Sequence, residues 1–182
     1  MRVLAISGSL RPGSHNTALL DAAARHAPAG VEVVRFDGLE ALPHYREDLD
    51  TTKPPASVHH LRESIATADA LLVATPEYNG TMPGVLKNAI DWASRPFPAN
   101  ALEGLPTAVV GATTGGFGAA WAQADARKSL GLAGARVLER GVSVPSAPLH
   151  LDPDGGRRTR SVDDALAALV TELVADAVPA PG

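Results

Sequence analysis

Cysteine is absent from all 182 residues. That excludes disulfides, thiolate nucleophiles and cysteine-ligated zinc at once, and it accords with a reducing compartment. Charge of one sign is never concentrated. Twenty acidic and sixteen basic residues leave a formal net charge of -4, with no block of like charge that would form a tail. Nothing here draws the chain to nucleic acid or to an anionic membrane. Long hydrophobic runs are also missing. None approaches the roughly 20 residues needed to span a bilayer. Only four apolar residues, Val3 to Ile6, precede Ser7, too few for the hydrophobic region of a signal peptide. These absences lead us to expect a cytoplasmic protein with neither nucleic acid nor membrane as partner and no metal site. No internal repeat and no second domain are visible, and residues 1–182 read as one domain.

What is present is a 45% hydrophobic content in short, regularly spaced segments. Val3 to Ile6, Ala70 to Ala74 and Thr107 to Ala112 are continuous apolar runs, as strands covered on both faces require. Val31 to Phe36 is interrupted by Glu32 and Arg35, as befits a strand nearer an edge. Arg136 to Leu138, or Val142 to Val144, supplies a fifth strand. Between them lie helical periods. Met82, Val85, Leu86, Ala89, Ile90 and Ala93 share a face, with Pro83 in the first turn. Val58, Leu61 and Ile65 make a weaker stripe. Ala120 to Leu132 is alanine-rich, with Arg127 and Lys128 expected at the surface. Leu166, Leu169, Val170, Leu173 and Val174 form a stripe preceded by Ser161 and Asp164 at capping-box spacing. Strand and helix alternate throughout, which points to an α/β protein with an open, doubly wound parallel sheet. Residues 95–106 and 147–161 read as its loosest connections.

In such sheets ligands bind beyond the carboxyl ends of the strands, where the strand order reverses. Three strands end in unusual loops: "SGSLRPGSHN" after the first, "TPEYNGTMPG" after the third and "TTGGFG" after the fourth. An order of 2-1-3-4-5 makes these loops neighbours. The first combines hydroxyls, an asparagine and Arg11 ahead of a helix, the chemistry of an anion site. It lacks the Gly-Lys-Ser/Thr of a Walker A loop, and Gly8 and Gly13 do not make a dinucleotide fingerprint. One basic side chain suits a terminal monophosphate. The second loop offers Tyr78 as a surface for a flat ring; alternatively, Tyr78 covers the next helix end and Glu77 faces its dipole. The third loop has paired glycines that permit close backbone approach, or simply a flexible turn.

Together, "GSLRPGSHNTAL", "TPEYNGTMPGVLKNAIDW" and, less strictly, "TTGGFGAA" resemble the NADPH-dependent FMN reductase family, in its bacterial quinone and chromate reductase branch. "LPHYREDLD" and "LDPDGGRRT" add to the likeness, which runs from residue 1 to about 175. The resemblance implies a flavodoxin-like three-layer sandwich, a five-stranded parallel sheet of order 2-1-3-4-5 with helices on both faces, and bound FMN. By position, Ser9, Arg11, Ser14, Asn16 and Thr17 would hold the FMN phosphate. Pro76, Glu77, Tyr78 and Asn79 would line the ring and its pyrimidine edge, largely through backbone groups. Thr113 would complete the site, with Gly115 and Gly116 near the ring. His15 departs from the family pattern.

The activity implied is hydride transfer from NADPH or NADH through flavin N5 to a quinone or another small electron acceptor, by a ping-pong mechanism without a catalytic side chain. A homodimer or homotetramer is implied, with the helices near Trp92 or Trp121 as candidate contact surfaces. A flavodoxin-type one-electron carrier and a non-catalytic FMN-binding protein are the alternatives. The cluster Arg157, Arg158 and Arg160 reads either as a solvated loop or as a contact for the extra phosphate of NADPH. Replacing both Arg11 and Ser14 with alanine is expected to weaken FMN binding and barely alter folding.

Overall fold

The continuous apolar runs become central strands because alternate residues serve opposite faces of one sheet. The computed structural model describes residues 1–151 and 159–178. Strands β1 (Arg2–Ser7), β2 (Glu32–Phe36), β3 (Ala70–Thr75), β4 (Pro106–Ala112) and β5 (Arg136–Val137) lie parallel in the order 2-1-3-4-5, and β6 (Val142–Val144) also pairs with β4. On one face Val3, Ala5, Leu72, Ala74, Ala108 and Val110 pack against α1 (His15–Arg25) and α6 (Arg160–Ala177). On the other, Leu4, Ile6, Leu71, Val73 and Val109 pack against α2 (Ala56–Ala66), α3 (Gly84–Ala93) and α4 (Ala120–Leu132). A four-residue helix, α5 (Ala147–His150), follows β6. This is the flavodoxin-like sandwich expected.

The fifth position of the sheet differs from expectation. Both candidate segments occupy it. Thr107 pairs with Val137 and Val110 with Val142, so five steps along the edge match three along β4. The surplus chain bulges around the Arg127 guanidinium, whose Nη2 donates to Val109 O at 3.1 Å. Arg127 is therefore half-buried, not at the surface as expected, and burial pushes its guanidinium pKa down from its ordinary value.

Two helix starts also shift. Pro83 is the residue before α3 rather than within its first turn. For α6 the N-cap is Thr159, and the Ser161–Asp164 box does not form. The helix begins early enough that the Asp163 N–H already donates to Thr159 O, leaving Ser161 inside the first turn. The loop after β2 folds onto α3, where Trp92 Nε1 and Asn88 Nδ2 both donate to Pro43 O. Trp92 is thereby fully buried, so its own side chain presents no surface. The connection at 95–106 is anchored by Leu102, which is buried in the core.

Candidate functional site

Three loops meet at the carboxyl ends of β1, β3 and β4, and each is fixed by a different device. The first leaves β1 through Gly8, whose N–H donates to Ala74 O at 2.7 Å. A Cβ there would stand 3.2 Å from Leu86 and 3.3 Å from Ala74 O, so glycine lets the loop start flush against β3. Ser7 Oγ and Thr17 Oγ1 lie 3.0 Å apart and tie the start of the loop to α1. Ser14 is the N-cap of α1, its Oγ accepting from the N–H groups of Asn16 and Thr17. Its own hydroxyl hydrogen remains to donate. Asn16 is buried, and its amide grips β4 in both directions: Nδ2 donates to Ala112 O at 3.0 Å, and Ala112 N donates to Oδ1 at 2.9 Å. The Asn16 side chain therefore couples the first loop to the third instead of presenting a free amide.

The second loop carries a tight hairpin. Tyr78 and Thr81 exchange backbone hydrogen bonds across Asn79 and Gly80, whose φ values are 53° and 76°. Positive φ at both central residues is the signature of a type I′ turn, for which Asn-Gly is the favoured pair. Tyr78 is left 54% exposed. Glu77 does face a helix N-terminus, but that of α4 rather than the helix that follows it. Its Oε2 accepts from Trp121 N at 3.0 Å and Ala122 N at 3.1 Å. Helix α4 has no side-chain cap of its own, so this carboxylate supplies it. Thr81 Oγ1 donates to Asp125 on the same helix. The third loop crosses from Thr113 to Ala119 and is held to the segment after β6 by Ser146 N to Gly115 O and Ala147 N to Thr113 O, both 2.8 Å.

The loops enclose a cleft of about 480 Å³, including the part open to solvent. Of the residues expected at the site, Ser9, Arg11, Ser14, Asn16, Pro76, Glu77, Tyr78 and Thr113 line it, together with His15, Ala112 and Thr114. Thr17, Asn79, Gly115 and Gly116 stand outside this lining and shape the loops. Among the basic cluster, Arg157 and Arg158 fall outside the described residues, and Arg160 opens α6. Other histidines lie elsewhere. His26 meets Asp163 at 3.1 Å, His59 meets Glu63 at 3.6 Å, and His60 packs on Phe36.

A profile of the NADPH-dependent FMN reductase family matches residues 1–148. The chain belongs to that family. It is 43% identical over 173 residues to an NAD(P)H-dependent FMN reductase of Pseudomonas aeruginosa, covering 94% of this chain and 90% of the relative. It is 42% identical over 127 residues to a 2-hydroxy-1,4-benzoquinone reductase of a Burkholderia species, covering 70% of this chain and 68% of the relative. Among solved structures, FerB, the NAD(P)H:(acceptor) oxidoreductase flavoenzyme of Paracoccus denitrificans, superposes with a TM-score of 0.85 at 34% identity. That match covers 97% of this chain and 96% of FerB. This member of the family is thus an FMN-dependent oxidoreductase that uses NAD(P)H. The chemistry of its lining is compatible with FMN: Ser9, Ser14 and Arg11 beside the start of α1 are of the kind that hold an anion, and Pro76 and the exposed Tyr78 offer surface for a ring.

Proposed function

We propose that the cleft holds FMN with its phosphate on Ser9, Arg11, Ser14 and the first turn of α1, and that the enzyme reduces quinone-like small acceptors. Bound FMN supplies the redox chemistry between NAD(P)H and the acceptor. The chain's own residues bind and orient. The Ser14 hydroxyl donates to the phosphate, the Arg11 guanidinium offsets its charge, and Thr17 ties the start of their loop to α1 through Ser7. Backbone groups of Pro76, Glu77, Tyr78 and Asn79 border the pyrimidine edge, and Thr113, with Gly115 and Gly116, closes the opposite side. No side chain is assigned an acid or base role. The observation that carries this reading is the convergence of an anion-binding helix start and an exposed tyrosine on one cleft.

Donor and acceptor occupy the same cleft in turn in this reading, so the kinetics are ping-pong. A quinone-like acceptor is supported by the relatives named for quinone reduction. NAD(P)H as donor suits a cytoplasmic location, and residues 1–182 act as one domain. No helix among the described residues is long and apolar enough to cross a membrane. Association as a homodimer or homotetramer would use the surface around Trp121, which is 53% exposed beside Phe117. Sedimentation tests that point.

The phosphate assignment is tested with Arg11→Ala. Arg11 is exposed, so its loss leaves the melting temperature unchanged. FMN affinity, measured by flavin fluorescence quenching, should fall at least tenfold. Unchanged affinity would remove the assignment. The double variant with Ser14→Ala is a poorer test than expected from sequence, because Ser14 also caps α1 and its loss destabilises the fold by about 0.5–2 kcal/mol.

A further inference from the structure

The glycine-rich third loop leaves β4 and enters α4 through two consecutive left-handed residues. Gly118 has φ 57° and Ala119 has φ 61°. The first must be glycine on two counts: its φ, and a Cβ that would meet Ser143 Cβ, Val144 N and Pro145 N at 3.0 Å. The second is a buried alanine in a conformation that L-residues avoid. Backbone of this kind persists only where its surroundings hold it in place. The loop just before it borders open space, since a Cβ at Gly115 or Gly116 would meet nothing within 4 Å.

One side chain grips this exit. Gln123, on the first turns of α4, is 1% exposed. Its Nε2 donates to Gly118 O at 3.0 Å and to Ser143 Oγ at 2.8 Å. Its Oε1 accepts from Arg127 Nη2 at 3.2 Å, and its backbone N–H donates to Ala119 O at 2.9 Å. The orientation of the amide is dictated by its neighbours. Arg127 can only donate and the Gly118 carbonyl can only accept, so the amide has one satisfied pose. Gly111 on β4 makes room for it. A Cβ there would lie 2.7 Å from Ala119 Cβ, 2.9 Å from Thr75 O and 3.0 Å from Gln123 Nε2.

We propose that Gln123 is a positioning residue for the cofactor cleft: it ties the left-handed exit at Gly118 to Ser143, on the same segment whose Val144, Ser146 and Ala147 hold Thr113 and Gly115, and so fixes both ends of the loop that carries Thr113 and Thr114 at the cleft wall. Arg127 orients the tether. The link to FMN rests on the cofactor reading above; the link to the loop does not. Glutamate is the discriminating replacement. Gln123→Glu keeps the size of the side chain and gives Arg127 a charged partner, so the packing of α4 on β4 is preserved. A carboxylate cannot donate to Gly118 O, so that bond is lost, while the Ser143 contact is kept with the serine hydroxyl as donor.

The test compares Gln123→Glu with the unaltered full-length protein, both stripped of flavin, by amide hydrogen exchange and then by FMN titration. Exchange should rise at least tenfold at the amides of Ala120 and Gln123, which donate to Phe117 O and Ala119 O at this exit, with those of β4 and the later turns of α4 unchanged. FMN affinity should fall at least tenfold while unchanged exchange in β4 shows that the protein stays folded. No change at Ala120 and Gln123, or an equal rise throughout β4 and α4, overturns the proposal. Should the variant not fold, Arg127→Met leaves Gln123 in place but frees its amide to turn; a rise confined to the same amides supports the tether, and its absence overturns it. If the unaltered protein takes up no FMN, the cofactor reading fails, while the exchange comparison still decides the role of Gln123.

Discussion

Glu77 shows how one side chain can be read correctly and located wrongly. A carboxylate just ahead of a helix suggests a dipole contact, and the contact exists, but with α4, whose first residue lies more than forty positions away. Its worth is that of a helix cap. Glu77→Ala should destabilise by about 0.5–2 kcal/mol, whereas Glu77→Gln, which keeps an acceptor oxygen, should lose about 0.3–1 kcal/mol. Urea midpoints measure both; equal losses would count against capping. Asn16 teaches the same lesson. Its position in a hydroxyl-rich loop reads as a ligand contact, yet its amide is engaged by Ala112, on a strand ninety-six positions further along. Residue types were legible from sequence because loop chemistry is local. Partners were not, because a hydrogen bond from Glu77 or Asn16 depends on which strand ends are neighbours. Gln123 left no signal at all: one polar residue among alanines reads as surface until its helix is docked.

At the scale of elements, the continuous runs of β1, β3 and β4 were legible because double burial demands apolar residues on both faces. The split fifth strand was not. Two short segments of acceptable strand pattern looked like alternatives, and only the docking of Arg127 from α4 shows why both are used. Gly141 belongs to this joint. A Cβ there would stand 2.6 Å from Val109 O and would press on the Arg127 guanidinium. Gly141→Ala should therefore destabilise by about 1–3 kcal/mol, as overpacking against backbone does. A fall in the denaturant midpoint measures it. A neutral result would mean that the bulge yields easily and that Arg127 does not wedge it. The missed capping box of α6 has a simpler cause: boundaries depend on which residue first turns, and Thr159 precedes Ser161 by two positions.

The whole molecule consists of two hydrophobic layers separated by one sheet. Leu61 lies in the layer with α2, α3 and α4, and Leu166 in the layer with α1 and α6; both are fully buried. Either leucine replaced by alanine should destabilise by about 2–5 kcal/mol. The two losses should add to within about 0.5 kcal/mol in the double variant, because the side chains share no neighbour. Denaturant midpoints of the single and double variants decide this, and a large interaction energy would show that the sheet transmits strain between its faces. The sandwich was legible at this scale, since the order of strands and helices follows from periodicity and the three unusual loops favour one strand order.

All three cleft-forming loops leave the same end of the sheet, and this divides the protein into a working end and a service end. At the service end the chain merely turns back, as at Ala29 and Gly30, which are exposed, with no atom near where a Gly30 side chain would stand. Changes there leave the cleft untouched, whereas changes at the opposite end reach the loops that form it. The service end is accordingly the place for a label, a tether to a surface or a fused partner, where such an addition can report on the enzyme without touching its chemistry.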